Sequence, residues 1–308
     1  MRVFVSGATG MIGRALVRRL GREGHAVVAW VRDRERARRQ LGDAVELVAL
    51  GAPDAELAAE LGRADAVVSL AGEPVADRRW TDARKRALHA SRVEPTGRLV
   101  AAMAALERRP RVLVSASAVG IYGDRGALEL GEESPPGDDF LAGLCRAWEA
   151  AAGAAEPLGV RVVTLRIGVV LARDGGALGK MVPLFRAGLG GPLGSGRQYL
   201  PWIHLDDVVE VAVRALGDER YRGPVNVTAP EPVTSRDFAR ALGRAVGRRA
   251  WLPVPAFALR VAMGRAADMV LGGQRARPRA LTRLGYRWLH PELGAALADA
   301  VDDAPPRA

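Results

Sequence analysis

The amino-terminal stretch Met1-Arg-Val-Phe-Val-Ser6-Gly7-Ala-Thr9-Gly10-Met-Ile-Gly13 decides the fold of this chain. Residues 1–6 form a short apolar run rich in β-branched and aromatic side chains, which predicts a buried strand. A helical pattern follows over residues 14–24, and residues 25–31 predict a second strand. Strand, glycine turn, helix and strand in this order indicate a βαβ unit with a right-handed crossover.

The three glycines of this stretch have a specific physical use. Their spacing allows a tight turn, close approach of the backbone to a pyrophosphate, and close packing of the helix on the sheet. An anion would then bind the N–H groups at the helix N-terminus. A tight structural turn is the competing interpretation. We predict a dinucleotide site whose contacts in this stretch are Gly7, Thr9, Gly10, Met11, Ile12 and Gly13.

The end of the second strand indicates which dinucleotide is bound. An NAD site usually has Asp or Glu near this point, where it accepts from the ribose 2′-OH. Here the strand ends at Val31 and Arg32 follows. The guanidinium of Arg32 suits a 2′-phosphate, so we predict NADP(H). Two alternatives stay open: Asp33 could bind a 2′-OH if the loop is shifted by one residue, or Arg32 could be a solvated loop cation.

Composition limits the class of protein. The chain has 308 residues, 49% of them hydrophobic, which suffices for one large α/β domain with or without a small appendage. No apolar run is long enough for a membrane span, and we expect no signal or transit peptide. A single cysteine, Cys145, excludes an internal disulfide and favours a cytoplasmic location. The net charge of +10 comes almost entirely from scattered arginines, so we expect no nucleic-acid binding.

The rest of the chain alternates strand and helix patterns, which predicts a Rossmann-type doubly wound parallel sheet with a smaller, mostly helical carboxyl-terminal region. We expect an NADP-binding domain over 1–168, with 197–230 returning to the sheet. Residues 169–196 and 231–308 would form a substrate or lid region, in which 251–300 is a basic helical domain. The segment 170–205 reads as loops. Asp206 and Asp207 are expected to cap a helix over 208–216.

Several motifs resemble one family. They are Gly7/Gly10/Gly13, Leu70-Ala-Gly-Glu73, Ser115-Ala-Ser-Ala-Val-Gly-Ile-Tyr-Gly123 and Trp202-Ile-His-Leu-Asp-Asp207. They resemble the extended short-chain dehydrogenase/reductase superfamily of the sugar-nucleotide epimerase type. Arg79-Trp80, Phe140-Leu-Ala, Trp148-Glu149-Ala, the glycine-rich segment 188–196 and Gly273-Gln274 further resemble its atypical NADP-binding "epimerase family" subgroup, which has its own carboxyl-terminal domain and is sometimes labelled a cell-division inhibitor.

Further cofactor contacts are expected where strands end. Small residues at the edge that faces the glycine loop would let a cofactor pass over the sheet. Arg92 could bind the cofactor, a substrate acid or a helix salt-bridge partner, and Glu73 could be a base or bind ribose. The predicted cofactor contacts outside the glycine turn are Arg32, Leu70, Ala71, Gly72, Glu73, Arg92, Ser115, Arg166, Gly168 and Val170.

The superfamily's catalytic pair is absent. Its members use a Tyr with a Lys four residues later, which lowers the pKa of the phenol. None of the four tyrosines has a lysine four residues on, and Leu141 and Cys145 stand at the expected helix positions. Three replacements are conceivable: Ser117, Tyr122 and Cys145. Each also has a structural interpretation, as a loop cap, a packing residue and an inert core thiol respectively.

The substrate is predicted to contact Trp202 and His204, although His204 could equally be structural. No metal site is expected. Two functions stay open: an NADP(H)-dependent oxidoreductase or epimerase-like enzyme acting on an unknown carbonyl or sugar-nucleotide-like small molecule, or a catalytically silent NADP(H)-binding regulator. Relatives dimerise through helices that correspond to 82–107 and 140–155, so we expect a monomer or a homodimer.

Overall fold

The computed structural model describes residues 1–173 and 175–302. A seven-stranded parallel sheet is its centre, with the spatial order β3-β2-β1-β4-β5-β7-β11. This confirms the predicted Rossmann-type sheet. The strands of this sheet are β1 (Arg2–Ser6), β2 (Ala26–Val31), β3 (Glu46–Ala49), β4 (Ala66–Ser69), β5 (Val112–Ala118), β7 (Arg161–Ile167) and β11 (Gly223–Val227).

Helices cover both faces of the sheet, because the strands are apolar on both sides. Alternate residues of β1 face the two helix layers. Val3 and Val5 pack with the face that holds α1 (Met11–Arg22) and α7 (Leu205–Gly217), whereas Phe4 packs with the face that holds α3 (Asp54–Arg63) and α4 (Asp82–Ala104). The helices are α1 (Met11–Arg22), α2 (Arg34–Leu41), α3 (Asp54–Arg63), α4 (Asp82–Ala104), α5 (Phe140–Gly153), α6 (Gly176–Arg186), α7 (Leu205–Gly217), α8 (Ser235–Ala245), α9 (Ala256–Met263), α10 (Asp268–Leu271), α11 (Arg279–Arg283) and α12 (Leu293–Val301).

The strand order reverses between β1 and β4, which makes the crevice at their carboxyl ends the expected ligand site. β1, β4 and β5 all end at this edge of the sheet, and the loops that follow them begin there. Within the residues that the structure describes, no helix has the length and apolar character needed to cross a membrane.

Short strand pairs outside this sheet join segments that are distant in the chain. They are β6 (Glu129–Leu130) with β13 (Arg275–Ala276), β8 (Val169–Leu171) with β10 (Trp202–His204), and β9 (Tyr199–Leu200) with β12 (Val233–Thr234). Glu132 adds to this attachment, because its buried Oε1 accepts the N–H groups of both Asn226 and Ala280 at 3.0 Å. One carboxylate therefore joins the last sheet strand to the carboxyl-terminal region.

The prediction that Asp206 and Asp207 cap a helix is wrong. α7 begins at Leu205, and its cap is His204, whose Nδ1 accepts the N–H of Asp206 at 3.2 Å. Asp207 is buried and instead binds residues 286–290 of the carboxyl-terminal region. It accepts the phenol of Tyr286 at 2.7 Å and the N–H groups of residues 289 and 290 at 2.8 and 3.0 Å.

The segment after β8 is also more regular than its glycines suggest. The loop-rich interpretation of 170–205 misses α6, which begins at Gly176. Leu178 and Phe185 of α6 are buried with Phe238 of α8. Packing of these apolar side chains stabilises a helix that the local glycine content disfavours.

Candidate functional site

The glycine turn lies between β1 and α1. Gly7 has φ of +70°, and a Cβ there would lie 2.6 Å from the carbonyl carbon of Leu70. A Cβ on Gly13 would lie 2.2 Å from the Gly7 carbonyl oxygen. Both positions therefore exclude any side chain. α1 begins at Met11, and no side chain caps it at Gly10, so the N–H groups of its first turn can receive an anion.

The end of β2 distinguishes Arg32 from Asp33. The Asp33 carboxylate accepts the N–H of Arg36 at 2.9 Å and caps α2. Arg32 is exposed and has no ion pair within residues 1–173 and 175–302. The arginine is therefore available for a phosphate, whereas the carboxylate is already used by the helix.

The edge after β4 carries the predicted residues 70–73. Leu70 donates its N–H to the Ser6 carbonyl at 3.1 Å, which holds this edge beside the glycine turn. Gly72 lies against the guanidinium of Arg92, because a Cβ on Gly72 would be 3.0 Å from the Arg92 Cζ. Glu73 forms an ion pair with Arg84. A role of Glu73 as a base or ribose ligand would compete with this ion pair and stays a prediction.

Ser117 belongs to a buried polar network. β5 extends to Ala118 and so includes Ser117. The Ser117 Oγ donates a hydrogen bond to Glu149 Oε1 at 2.6 Å. Arg166 on β7 binds both carboxylate oxygens of Glu149, each at 2.9 Å. The serine is therefore linked to a bidentate ion pair. Sequence reasoning missed Glu149 as the partner of Ser117, because the two residues are 32 positions apart in the chain.

Tyr122 and Arg166 face the interior. Tyr122 is 0% exposed, donates its hydroxyl hydrogen to Asn226 Oδ1 at 2.7 Å, and accepts from Arg166 Nη1 at 3.0 Å. Burial raises the pKa of the Tyr122 phenol. The same Arg166 nitrogen donates to the Glu132 carbonyl at 2.9 Å. This arrangement favours structural roles for both side chains over proton donation and cofactor contact.

Cys145 is a protonated thiol at neutral pH. Burial, followed by the nearby charge of Glu149, raises its pKa to about 11. The thiol is buried beside Ser117 and Ala118. A neutral, inaccessible thiol is a poor nucleophile. Leu141 stands one turn earlier, against Gly120. The Tyr position of the missing pair therefore holds a leucine, which has no phenol, and the Lys position holds a neutral thiol.

The two predicted substrate residues are buried. Trp202 is 1% exposed and donates its Nε1–H to the Glu231 carbonyl at 3.1 Å. This places the Trp202 ring in the core and favours a packing role. His204 caps α7, and its ring stacks on that of His290 with centroids 3.8 Å apart. His204 Nε2 also lies 3.3 Å from Asp299 Oδ2.

The structure brings together a cluster that the sequence spacing did not predict. One ligand atom from each of His204, Asp206 and His290 lies within 4.8 Å of the others. Burial and the neighbouring His290 lower the pKa of His204, whereas a hydrogen bond with Asp206 raises that of His290. The His204 Nδ1 is already an acceptor in the helix cap, and the two rings stack. The expectation of no metal site stays a prediction, because these three side chains still offer one ligand atom each.

Other predicted cofactor contacts are also placed. Ser115 is buried, and its Oγ donates to the Ala116 carbonyl at 3.3 Å. A Cβ on Gly168 would lie 2.4 Å from the Pro201 carbonyl oxygen, so packing alone requires glycine there. Val170 pairs with Ile203 across β8 and β10. Of the turn residues, Thr9, Met11 and Ile12 are only partly buried and surround the open end of α1.

A cavity of about 570 Å³ opens beside Gly120 and Leu141, which contribute one wall. Residues between 260 and 274 contribute the other wall. Sequence reasoning did not identify its remaining polar and aromatic lining, which is Trp80, Lys85, Asp124, Asp139, Phe140, Arg260, Arg265, Asp268 and Gln274. A larger recess of about 1050 Å³ lies at the opposite edge, near Met1 and Arg111, away from the glycine turn.

The parallel sheet, the glycine turn at its reversal point and the uncapped helix define a nucleotide-binding protein of the Rossmann type. Family models match two parts of the chain: the NAD dependent epimerase/dehydratase family over residues 3–227, and a domain of unknown function, DUF1731, over residues 254–300. The chain belongs to the NAD dependent epimerase/dehydratase family. The resemblance inferred from the sequence motifs is thus confirmed.

The relatives are similar over nearly the whole chain. Epimerase family protein SDR39U1 of Homo sapiens is 40% identical over 305 residues, covering 98% of this chain and all of that protein. The Arabidopsis thaliana protein named as its chloroplastic homolog is 42% identical over 300 residues, covering 96% of this chain and 86% of that protein. A crystal structure of the human protein with NADPH is similar with a TM-score of 0.88 and 38% identity, and covers 99% of this chain and 100% of that chain.

Proposed function

We propose that this protein is an NADP(H)-binding oxidoreductase or epimerase-like enzyme of unknown small-molecule substrate. The observation that carries the proposal is the glycine turn. A Cβ on Gly7 or Gly13 would collide with the backbone of the turn or of the edge after β4, so only glycine keeps this space open. No side chain caps the adjoining N-terminus of α1. Both features fit a pyrophosphate. The human relative crystallised with NADPH supports the choice of cofactor.

The preference for NADP(H) over NAD(H) rests on Arg32. Its exposed guanidinium suits a 2′-phosphate, while Asp33, the residue that could accept a 2′-OH, is used as the cap of α2. The open N–H groups of residues 11–13 would hold the pyrophosphate. The small residues of the edge after β4 would leave room for the rest of the cofactor.

The bound cofactor would supply hydride transfer at its nicotinamide ring. This chain's own residues must then handle the proton, and Ser117 is the best placed. Its hydroxyl is held 2.6 Å from Glu149, and Arg166 donates to the same carboxylate at 2.9 Å. In the oxidation of an alcohol, the substrate hydroxyl proton would pass to Ser117 Oγ as Ser117 passes its own proton to the Glu149 carboxylate, and carbonyl reduction would run the same two transfers in reverse. Tyr122 and Cys145 are both buried, and each has a raised pKa.

The second candidate is a catalytically silent NADP(H)-binding regulator. The observation that favours it is the filling of the Tyr and Lys positions by Leu141 and Cys145, together with the burial of Ser117. The domain division predicted from the sequence, a cytoplasmic location and a monomeric or homodimeric state belong to both candidates and stay predictions.

Two measurements distinguish the candidates. NADPH binding by calorimetry tests the cofactor, and a panel of aldehydes, ketones and sugar nucleotides tests turnover through NADPH absorbance. The enzyme proposal expects turnover that falls at least tenfold in Ser117→Ala, with NADPH binding unchanged. Bound NADPH without turnover on any member of the panel would favour the regulator. Failure to bind NADPH would refute both.

A further inference from the structure

Arg92 is a buried cation, and no acid in the part of the chain that the structure describes forms an ion pair with it. It lies on α4 and is 9% exposed. Its Nη1 donates to the Leu88 carbonyl and Ser91 Oγ at 3.1 and 3.2 Å, and its Nη2 donates to the Glu73 carbonyl at 2.7 Å. The guanidinium also lies over the Trp148 ring, 5.3 Å from its centroid. Within the described residues it forms no ion pair and its Nε makes no hydrogen bond.

A buried charge of this kind is costly unless an opposite charge compensates it. The carbonyl oxygens of Leu88 and Glu73 accept hydrogen bonds from the Arg92 guanidinium. They do not neutralise its positive charge. The nearest acid on its own edge, Glu73, is already paired with Arg84. Burial lowers the pKa of Arg92 and the charge of Arg84 lowers it further, whereas the nearby Cys145 and Glu73 raise it. An arginine nevertheless stays protonated at neutral pH. By contrast, the buried Arg166 has the bidentate carboxylate of Glu149.

Burial with carbonyl partners alone does not identify a ligand site. Arg161 is also 9% exposed and donates to the carbonyls of Tyr221 and Leu216 at 2.7 and 3.4 Å. Its place, however, is the start of β7, at the edge opposite the glycine turn. The charges of Asp218 and Glu219 partly compensate it. Arg161 is therefore a structural arginine that matches Arg92 in burial and in partner type.

The position of Arg92 is what sets it apart. Its guanidinium lies against Gly72 at the carboxyl edge of β4, where a Cβ would be only 3.0 Å from its Cζ. On the other side it lies near Cys145, and the Cys145 thiol contacts Ser117. The cation therefore stands between the two strand ends that would border the reactive part of a bound dinucleotide.

We propose that Arg92 binds an anionic oxygen of the ligand, a carboxylate or a phosphate, at the edge between β4 and β5. The proposal rests on the NADP(H) function proposed above and adds the chemical class of the group recognised there. A planar guanidinium with an unengaged Nε suits either anion. The anion has two possible sources, a phosphate of the cofactor or an acid group of the substrate, and the experiment separates them.

The experiment compares four full-length proteins: wild type, Arg92→Met, Arg92→Lys and the matched control Arg161→Met. Calorimetry with NADPH tests the cofactor as the source. Titration of the NADP⁺-saturated protein with oxalate and with inorganic phosphate, at constant ionic strength, tests a substrate acid. We expect Arg92→Met to bind at least tenfold more weakly in one of the two arms. Arg161→Met should bind as wild type does in both, and Arg92→Lys should lie between.

Stability without ligand gives an independent readout. If Arg92 serves a ligand, Arg92→Met removes an uncompensated charge and should leave the Tm of the ligand-free protein unchanged or higher. Arg92→Lys keeps the charge and preserves the test if the Met variant fails to fold. Wild-type affinity of Arg92→Met or Arg92→Lys in both arms would overturn the proposal, as would an equal loss in Arg161→Met. A wild type that binds no NADPH would instead refute the proposed function.

Discussion

Glu149→Gln leaves the buried guanidinium of Arg166 without its carboxylate partner, and we expect it to lower the free energy of unfolding by about 3 kcal/mol. Removing one member of a buried ion pair typically costs about 3–5 kcal/mol. The lower end applies because the Glu149 side chain is 16% exposed and because Gln retains an oxygen that can accept from Ser117. For a chain of this size the loss corresponds to a fall in Tm of roughly 6 °C.

Urea unfolding followed by both circular dichroism and tryptophan fluorescence measures this loss, provided that the two probes give the same transition. A double-mutant cycle with Arg166→Met isolates the pair itself. Since the double variant buries neither charge, we expect it to be less destabilised than the sum of the two single variants, by about 2 kcal/mol.

The exposed ion pair between Arg98 and Asp54 provides the control. Its Nε–Oδ1 distance of 2.8 Å is nearly the same as the 2.9 Å between Arg166 Nε and Glu149, but the Asp54 side chain is 80% exposed. Asp54→Asn should cost less than about 1 kcal/mol. Additive single variants, or a Glu149→Gln protein as stable as Asp54→Asn, would show that the buried pair is not coupled and would refute the reasoning.

Three further outcomes follow from the same structure. Gly13→Ala should lower the free energy of unfolding by about 1–3 kcal/mol, because its Cβ would meet the turn backbone, whereas Gly21→Ala on the same helix meets nothing within 4 Å and should raise it by about 0.5–1 kcal/mol; urea unfolding of both variants checks the contrast. Arg32→Glu should weaken NADPH binding at least tenfold and leave NADH binding unchanged in calorimetry, and an equal loss for both cofactors would contradict a 2′-phosphate contact. Because the hydrogen bond with Asp206 raises the folded-state pKa of His290, wild type should exceed His290→Asn in stability below pH about 6.5 and lose this advantage as pH rises through the raised pKa; an advantage that grows with pH in urea unfolding would contradict this sign.

The sequence predicted the features that depend on local pattern. The strand, turn and helix around Gly7 and Gly13 follow from residue order, since each element is formed by neighbours in the chain. The regular alternation of elements likewise predicted the parallel sheet. Arg32 could be singled out because its place at a strand end has a known geometric meaning.

The buried polar partners could not be predicted in this way. Ser117 and Glu149 are 32 residues apart, and Tyr122 and Asn226 are 104 residues apart, so no local pattern joins them. Glu149 reads as an ordinary helix-surface acid until the fold places β7 beside it. The same reason explains why the helix that begins at Gly176 was missed, since tertiary packing decides it. The cap of α7 was assigned wrongly because the local contact is made by His204, whose side chain accepts the N–H of Asp206.

The attachment of the carboxyl-terminal region has a consequence for dissecting the protein. The buried carboxyl oxygens of Asp207 and Glu132 accept backbone N–H groups that lie more than 75 residues further along the chain. In addition, β13 pairs with β6. Cutting the chain between the two matched family segments would separate these two buried carboxyl groups from the N–H groups of residues 280, 289 and 290, and would leave those N–H groups without their acceptors. We therefore expect the carboxyl-terminal region to be an integral part of the fold rather than an independent module that could be exchanged or expressed alone.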